Sequence, residues 1–448
     1  MSGIFLGAVF WGERFVDAFA RSCLASLMSP GNIPSLHGRP GDHRFLIVTP
    51  ADEFARLSDK PAFRRLSDFV TVEWIEMPPP GEGADKMRLM SRGHSAIVKR
   101  MYEARAVGSI VYPDTIYSDG ALKQAARRID AGASAVLVNC PRLANEVFHE
   151  AVLESGALAG DEPRGLVPRE LVGLSLDNLH SEMTRYEWRR SVFAEIPVCP
   201  FWRLKGRRGL IMHSFIWAPM LLDYGKSQDH DTETLEGWTI DGDYVNRNFF
   251  GEGVDGDIYA VTDSDEMMLA SYTAESDLTI PNRRNPFLWL PIVGPLMKRA
   301  YLHEFYIGSA SDPLKRALGL KTCVFRTEDL TPADERMIAR THRLVDRACR
   351  PQGVSRIPIS AGQMLAAILE PSRRHHRNGL LRARIGNLKA QSKLPAYYFK
   401  AYVIPWIRSV PSRLPLWRAR VLSYFDRGYL ARRLRQLLQF VWRSGESR

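Results

Sequence analysis

Short apolar runs alternate with amphipathic stretches over the first 140 residues, and this alternation constrains the fold more than any other feature. The runs are typical of strands buried in a parallel sheet, and the stretches between them have helical spacing. Strands and helices that alternate in this way predict right-handed crossovers and an α/β fold with a mainly parallel sheet. The predicted strands are 4–10, 44–49, 69–77, 109–112 and 133–139, and the predicted helices are 14–28, 51–57, 86–106 and 121–131.

The pattern is weaker in the second half of the chain. Residues 141–188 have a helical character, and strand-like runs return at 210–212, 237–240 and 258–262. We therefore expect one large α/β region over 1–330, with a first half at 1–140 and a second half at 141–330. A connecting helix and linker at 331–360 and a basic tail at 361–448 complete the predicted organisation.

The tail carries the positive charge of the chain. The net charge is +11, yet residues 371–448 alone hold 18 Lys or Arg against 2 Asp or Glu, which leaves the rest mildly acidic. The best predicted helices of the tail are 380–388 and 429–442; the second places Leu430, Leu434, Leu437, Leu438 and Val441 on one stripe flanked by arginines. Such a helix favours an anionic membrane surface, although packing of its leucines on the core is the alternative. Because the basic charge lies outside the predicted fold, nucleic acid is an unlikely partner.

Neither the N-terminal segment nor the cysteine content indicates secretion. The opening apolar run lacks a positively charged start and is interrupted by Glu13 and Arg14, which is too soon for a signal peptide or a spanning helix. The five cysteines are far apart and form no CxxC pair, so neither a disulfide framework nor a structural zinc site is expected. We expect a cytoplasmic protein that the tail attaches peripherally to the inner face of the cell membrane.

Several common catalytic signatures are missing. No GxGxxG follows the first strand, and no GxxxxGK[ST], GxSxG or HExxH occurs in the chain. Dinucleotide-dependent oxidoreductases, P-loop NTPases, α/β-hydrolases and HExxH metalloproteases therefore lose their main support.

The carboxyl ends of the predicted strands are the expected ligand edge, because ligands of open α/β sheets bind beyond those ends. This rule indicates Trp11 and Gly12 after the first strand, Thr49 at the end of the second, and the segment 113–120. Asp114 directly follows a buried strand, whereas Ser118 and Asp119 could instead cap the helix that begins near residue 121.

Two pairs of acids are spaced two residues apart and could converge on one divalent cation. Asp241 and Asp243 follow one apolar run, and Asp263 and Asp265 follow another. Mg²⁺ is typically held by one or two carboxylates and by substrate phosphates. His213 follows a strand in the same half and could ligate the metal. A turn for the first pair and a helix cap for the second are the structural alternatives.

Together these segments resemble a bacterial GT-A-type nucleotide-sugar glycosyltransferase of the kind found in polysaccharide and protein-glycosylation pathways. The resemblance covers roughly residues 1–330 and rests on VFWGERFVDAFARSCLASLMSPGN, on YPDTIYSDG, and on the later DGDY and DSDE. It implies a GT-A-like, Rossmann-like sheet whose first strand and helix cradle the nucleotide. Where that family has its DxD, this chain has Pro113-Asp114-Thr115, with a single acid.

The resemblance implies a hexosyltransferase type of enzyme that uses a nucleotide-sugar donor, a glycan, lipid-linked or protein acceptor, and Mg²⁺ or Mn²⁺. Asp114, Asp263 and Asp265 are the catalytic candidates, and Asp241, Asp243 and His213 are the metal candidates. A metal-dependent phosphoesterase or nuclease, and a non-catalytic membrane-associated scaffold, are the alternative functions. The candidates for binding the donor are Trp11, Gly12, Thr49, Lys86, His94, Asp114, Ser118 and Asp119.

Overall fold

A computed structural model describes residues 2–81, 83–227, 230–236, 240, 242–251, 257–277, 288, 293–308 and 313–349. The chain forms two compact units, Met1–Val354 and Ser355–Arg448. All described residues belong to the first unit. The predicted tail at 361–448, with its helices at 380–388 and 429–442, lies outside the described residues, and so does most of the strand predicted at 237–240.

A seven-stranded sheet forms the centre of the first unit, in the order β11-β6-β10-β4-β1-β2-β3. All its strands are parallel except β10, which is antiparallel to both of its neighbours. The predicted α/β class with a mainly parallel sheet is thereby confirmed. The strands of the first unit are β1 Ile4–Val9, β2 Arg44–Thr49, β3 Thr71–Glu76, β4 Val107–Ile110, β5 Thr115–Tyr117, β6 Ala135–Val138, β7 Arg142–Ala144, β8 Phe201–Arg203, β9 Gly209–Met212, β10 Ala218–Asp223, β11 Ile258–Ala260, β12 Leu269–Thr273 and β13 Cys323–Arg326.

The first helix is irregular. Helix α1 continues into a π-helical turn at Phe19–Leu24 and ends as α2, while short 3₁₀ turns occupy Ile33–Leu36, Lys205–Arg207 and Glu233–Leu235. The α-helices are α1 Glu13–Ala18, α2 Ala25–Leu27, α3 Ala51–Ser58, α4 Pro61–Leu66, α5 Lys86–Glu103, α6 Ala121–Asp130, α7 Asn145–Glu154, α8 Pro168–Asp177, α9 Ser181–Thr184, α10 Gly242–Phe249, α11 Val293–Gly308, α12 Pro313–Gly319 and α13 Pro332–Cys349. Within the described part of the chain, every helix is too short or too polar to cross a membrane.

Both faces of the large sheet are buried along its central strands, whereas the residues of the edge strand β3 are exposed or half-buried. Along β2, Leu46 and Val48 join the core on the α5 side, whereas Phe45 and Ile47 join the core on the side of α1 and α6. This alternation follows from the opposite directions of successive side chains in a strand. Helices that cover both faces explain why the parallel strands are continuous apolar runs in the sequence.

Helix α5 packs very closely on β1 because glycine lies at the contacts. A Cβ atom added at Gly93 would be 2.6 Å from Cγ1 of Val9, and one added at Gly7 would be 2.4 Å from Cγ2 of Ile97. Such distances are shorter than packed side chains allow, so any larger residue would move the helix away from the sheet. The close approach fixes the height of α5 above the last residues of β1.

The described residues also form two three-stranded sheets, in the orders β5-β12-β7 and β13-β9-β8. Strand β5 follows β4 and strand β7 follows β6 after short connections, so the first small sheet lies at the carboxyl edge of the large sheet. Asp263, just after β11, forms a bridge to Val324 in β13. The carboxyl edge is thus enclosed by additional structure rather than left flat.

Candidate functional site

A cleft of about 320 Å³ opens at the carboxyl end of β4. One wall comes from α1 and the π-helical turn, and the other comes from α7 and β12 with the residues that follow it. Its position agrees with the rule that ligands of such sheets bind beyond the carboxyl ends of the strands. The polar residues that line it are Arg14, Asp17, Arg21, Asp114, Asn145, His149, Tyr272, Thr273 and Asp277.

Asp114 lies in the cleft, between the end of β4 and the start of β5. Its backbone carbonyl accepts a hydrogen bond from the amide of Tyr272 at 2.9 Å, which anchors the turn to the small sheet. Burial raises the pKa of the Asp114 carboxyl above its ordinary value, although its own backbone amide and the charges of Arg142 and Arg14 oppose the rise. Desolvation therefore makes this carboxylate a stronger base than one in water.

Two arginines, Arg14 and Arg21, line the cleft together with its aspartates. Arg14 is 3.9 Å from Asp277, and both side chains are about half exposed, at 59% and 52%. Arg21 is exposed and forms no ion pair with any other described residue. Burial and then the charge of Arg21 lower the pKa of His149 on the opposite wall. The cleft thus combines cations that can bind an anion with a half-buried carboxylate that can accept a proton.

The ends of β1 and β2 lie on the same edge of the sheet. Trp11 is partly buried and packs against the core on the α5 side of the sheet. Gly12 has φ of 82°, its amide donates to Oε1 of Glu53 at 3.0 Å, and the space above its Cα is open. Thr49 is fully buried, and its hydroxyl has no hydrogen-bond partner within the described structure. A left-handed residue with open space beside it suits a ligand that approaches the backbone.

His94 faces the interior from α5, near the end of β1. Its side chain is 1% exposed, Nδ1 has no partner among the described residues, and its ring meets the ring of Tyr112 edge-on at 5.9 Å. Burial lowers the pKa of His94 to about 4, so the imidazole is neutral at neutral pH. Lys86, in contrast, is exposed at the start of the helix, whose Asp85 cap accepts from the Arg88 amide at 3.1 Å.

Ser118 and Asp119 hold neighbouring loops together. The Ser118 hydroxyl accepts from the amide of Met268 at 3.0 Å, and Oδ1 of Asp119 accepts from the amide of Gly31 at 2.7 Å. Neither side chain caps α6, because the N-cap residue is Gly120, with φ of 85°. Both residues therefore shape the wall of the carboxyl edge through hydrogen bonds that are already made.

The second acid pair, Asp263 and Asp265, forms ion pairs with arginines. Asp263 lies 2.8 Å from Nη2 of Arg326, and Asp265 lies 2.7 Å from Nη2 of Arg169 and 2.9 Å from Nη2 of Arg326. Asp263 follows β11, so the pair lies on the same edge of the sheet as Asp114. Bidentate guanidinium groups occupy the lone pairs that a metal would need.

Two of the other three metal candidates, Asp243 and His213, contact protein side chains. Asp243 lies 2.5 Å from Nζ of Lys315, and Asp241 is outside the described residues. His213 is fully buried, its Nε2 is 3.3 Å from the hydroxyl of Thr322, and burial lowers its pKa to about 4. Across the described ranges, no group of three or more His, Cys, Asp or Glu side chains could hold a metal ion. The described acids Asp243, Asp263 and Asp265 thus face basic side chains, and they do not gather with His213 into a cation site.

Comparison with known proteins adds little to the geometry. No protein-family model matches the chain, and the search of curated proteins found no match. Among solved structures, the chain is similar to the mannosyltransferase PcManGT from Pyrobaculum calidifontis in complex with GDP-Man and Mn²⁺. The identity is 11%, the match covers 89% of this chain and 86% of that chain, and the TM-score is 0.28. A likeness of this degree carries no inference about the site.

Sequence reasoning found Asp114 but missed its surroundings. Arg14 and Arg21 are seven residues apart on one helical stretch, a spacing that could have indicated a shared face. His149 and Tyr272 offered no such signal, because the pairing of β12 with β5 and β7 brings them to the cleft from distant parts of the chain.

Proposed function

We propose that the chain is a glycosyltransferase that moves a sugar from a nucleotide-sugar donor to an acceptor hydroxyl in the cleft at the carboxyl end of β4. The observation that carries this proposal is the position of Asp114, a carboxylate with a raised pKa, in a cleft that Arg14 and Arg21 also line. The location at the ligand edge of an α/β sheet supports it.

The reaction needs two things that this cleft can supply. As the acceptor oxygen forms its bond to the anomeric carbon, its proton must leave, and the carboxylate of Asp114 would take that proton as a general base. As the bond from the anomeric carbon to the diphosphate breaks, negative charge grows on the leaving group. The guanidinium groups of Arg14 and Arg21 would stabilise that charge.

Residues elsewhere on the edge are proposed for the remaining parts of the donor. Trp11 and the open backbone at Gly12 would bind the nucleoside, as the resemblance implies. Exposed Lys86 would attract phosphate. His94 is neutral, so its proposed part is hydrogen bonding rather than charge neutralisation. No step is assigned to a divalent metal, because the described acids Asp243, Asp263 and Asp265 all face basic side chains.

Binding is tested first by thermal shift with UDP-, GDP-, CMP- and dTDP-sugars, each with and without Mn²⁺. We expect at least one nucleotide sugar to raise the unfolding temperature of the full chain, since a ligand that binds only the folded state stabilises it. Free sugars at the same concentration serve as the control. If every nucleotide sugar leaves the unfolding temperature unchanged, the proposed function fails.

Catalysis is tested with Asp114→Asn, which keeps the shape of the side chain and removes the base. We expect transfer to fall by roughly 10²–10⁴, the usual contribution of general-base catalysis, with little change in donor binding. Asp17→Asn is the matched control, because Asp17 lines the same cleft but pairs with Lys60 at 3.0 Å. A folded Asp114→Asn protein with full transfer activity contradicts the proposed role.

A further inference from the structure

Four arginines form a straight row on helix α13. Arg336, Arg340, Arg343 and Arg347 are spaced four, three and four residues apart, and all four side chains are exposed. At 3.6 residues per turn they lie within about 60° of one another around the helix. The opposite side of α13 is buried through Asp334, Thr341, Val345 and Ala348. We call the exposed row the arginine stripe.

No ion pair with another described residue neutralises the arginines of the stripe, although Glu335 and Asp346 lie on the same helix. Within the described residues, none of its four arginines forms an ion pair, and the buried Asp334 is already 3.0 Å from Arg208. Helix α11 packs against α13 and adds another arginine, Arg299, whose side chain is partly exposed. Burial, and then the charges of Arg347 and Arg340, lower the pKa of Arg299. Like charges this close oppose one another, and an anionic partner would relieve that repulsion.

The C-terminal tail is itself strongly basic. Residues 371–448 contain 18 basic and 2 acidic residues, so they carry the same sign as the stripe. Another molecule with many negative charges would complement the stripe better, and the straight row of Arg336–Arg347, roughly 16 Å long at 1.5 Å per residue, suits a flat surface.

A lipid surface fits better than a single-stranded nucleic acid. Single-stranded nucleic acids are usually bound by aromatic side chains that stack on bases next to the cations, and α13 contains no Phe, Tyr or Trp. Along the chain, α13 leads into the tail predicted to form interfacial helices. Stable membrane attachment generally requires two signals. The predicted helices of the tail would be the first, and a basic patch on the folded unit would be the second.

We propose that the arginine stripe of α13 is a docking surface for anionic phospholipid bilayers, in which lipid phosphate and carboxylate groups neutralise Arg336, Arg340, Arg343 and Arg347. The proposal concerns binding alone and does not depend on the sugar-transfer activity. It places a membrane contact on the folded first unit, separate from any contact made by the tail.

The test is co-sedimentation of the full chain with vesicles of phosphatidylcholine containing phosphatidylserine, and with vesicles of pure phosphatidylcholine. Each basic residue near an anionic leaflet contributes roughly a fivefold factor to the partition coefficient. With salt screening included, the combined variant Arg336→Gln, Arg340→Gln, Arg343→Gln and Arg347→Gln should bind anionic vesicles at least roughly 30-fold more weakly. Replacement of the same four residues by lysine should restore binding, because charge is what the surface recognises.

The matched control changes four basic residues on other exposed helices to glutamine, namely Arg56, Arg64, Lys123 and Arg127. It has the same net charge as the stripe variant and should bind within about twofold of the unaltered chain. Equal losses in the two variants would show a response to net charge only and overturn the proposal. So would failure of the unaltered chain to bind anionic vesicles, or a stripe variant that loses duplex DNA binding but retains vesicle binding.

Discussion

Acidification is expected to destabilise the folded first unit through His94. The side chain is 1% exposed, and burial lowers its pKa from 6.5 to about 4. Above pH 6.5 the imidazole is neutral in the folded and the unfolded chain, so pH has no effect through this residue. Between pH 6.5 and about 4 only the unfolded chain binds the proton, so the free energy of unfolding falls as the pH falls.

The size of the loss follows from the two pKa values. One pH unit in this window is worth about 1.4 kcal/mol, so lowering the pH from 7.5 to 5 costs about 2 kcal/mol through His94. His213 is equally buried with a pKa of about 4, and it would add a similar loss. Against a total stability of about 5–15 kcal/mol, the two together are a large fraction.

The assay is urea unfolding of the full chain at several pH values between 5 and 7.5, compared with His94→Phe. The variant keeps an aromatic ring against Tyr112 and cannot bind the proton. Its loss in free energy of unfolding between pH 7.5 and 5 should therefore be about 2 kcal/mol smaller than that of the unaltered chain. His37→Gln, at an exposed histidine, is the control and should keep the original slope. If His94→Phe loses as much stability as the unaltered chain between pH 7.5 and 5, the reasoning is refuted.

Three further predictions concern the packing and the cleft. Gly93→Ala should destabilise the chain by about 1–2 kcal/mol, because its Cβ would lie 2.6 Å from Val9. The double variant with Gly93→Ala and Val9→Ala should lose less stability than the sum of the losses in the two single variants. Additive losses in urea unfolding would argue against the contact. Asp119→Ala should cost about 1.5–3 kcal/mol in the same assay, because the Gly31 amide loses its 2.7 Å acceptor, whereas Asp119→Asn should cost less. Transfer activity should fall on the acidic side at a higher pH than an ordinary aspartate would give, since the pKa of Asp114 is raised; a rate unchanged down to pH 4 would contradict its role as a base.

The central strands could be predicted because their signal is local. A strand buried on both faces is a continuous apolar run, and the runs at 4–10, 44–49 and 133–139 each contain a strand of the sheet. Strand β10 could not be placed in the same way. It enters the sheet between β4 and β6 although it lies far beyond both in sequence, and no local pattern specifies that position.

The candidate site also contains features that local sequence predicts and features that depend on long-range contacts. Asp114 follows a local rule about strand ends and could be identified from the sequence. The spacing of Asp263 and Asp265 correctly indicated side chains close together, but it could not reveal that Arg169 and Arg326 come from α8 and β13 to pair with them. Contacts with residues distant in sequence determine whether two neighbouring acids bind a metal or form salt bridges.

The position of β10 has a consequence for synthesis of the chain. Strands β4 and β6 do not contact each other in the large sheet and are joined through β10 alone. On the ribosome, β6 is complete at residue 138, whereas β10 ends at residue 223. At roughly 5–20 residues per second, this interval lasts about 4–17 s, during which β4 and β6 expose unpaired edges. Open strand edges template association with other chains. A nascent or truncated chain that ends before β10 should therefore need protection by a chaperone, whereas one that extends past β10 can close its sheet.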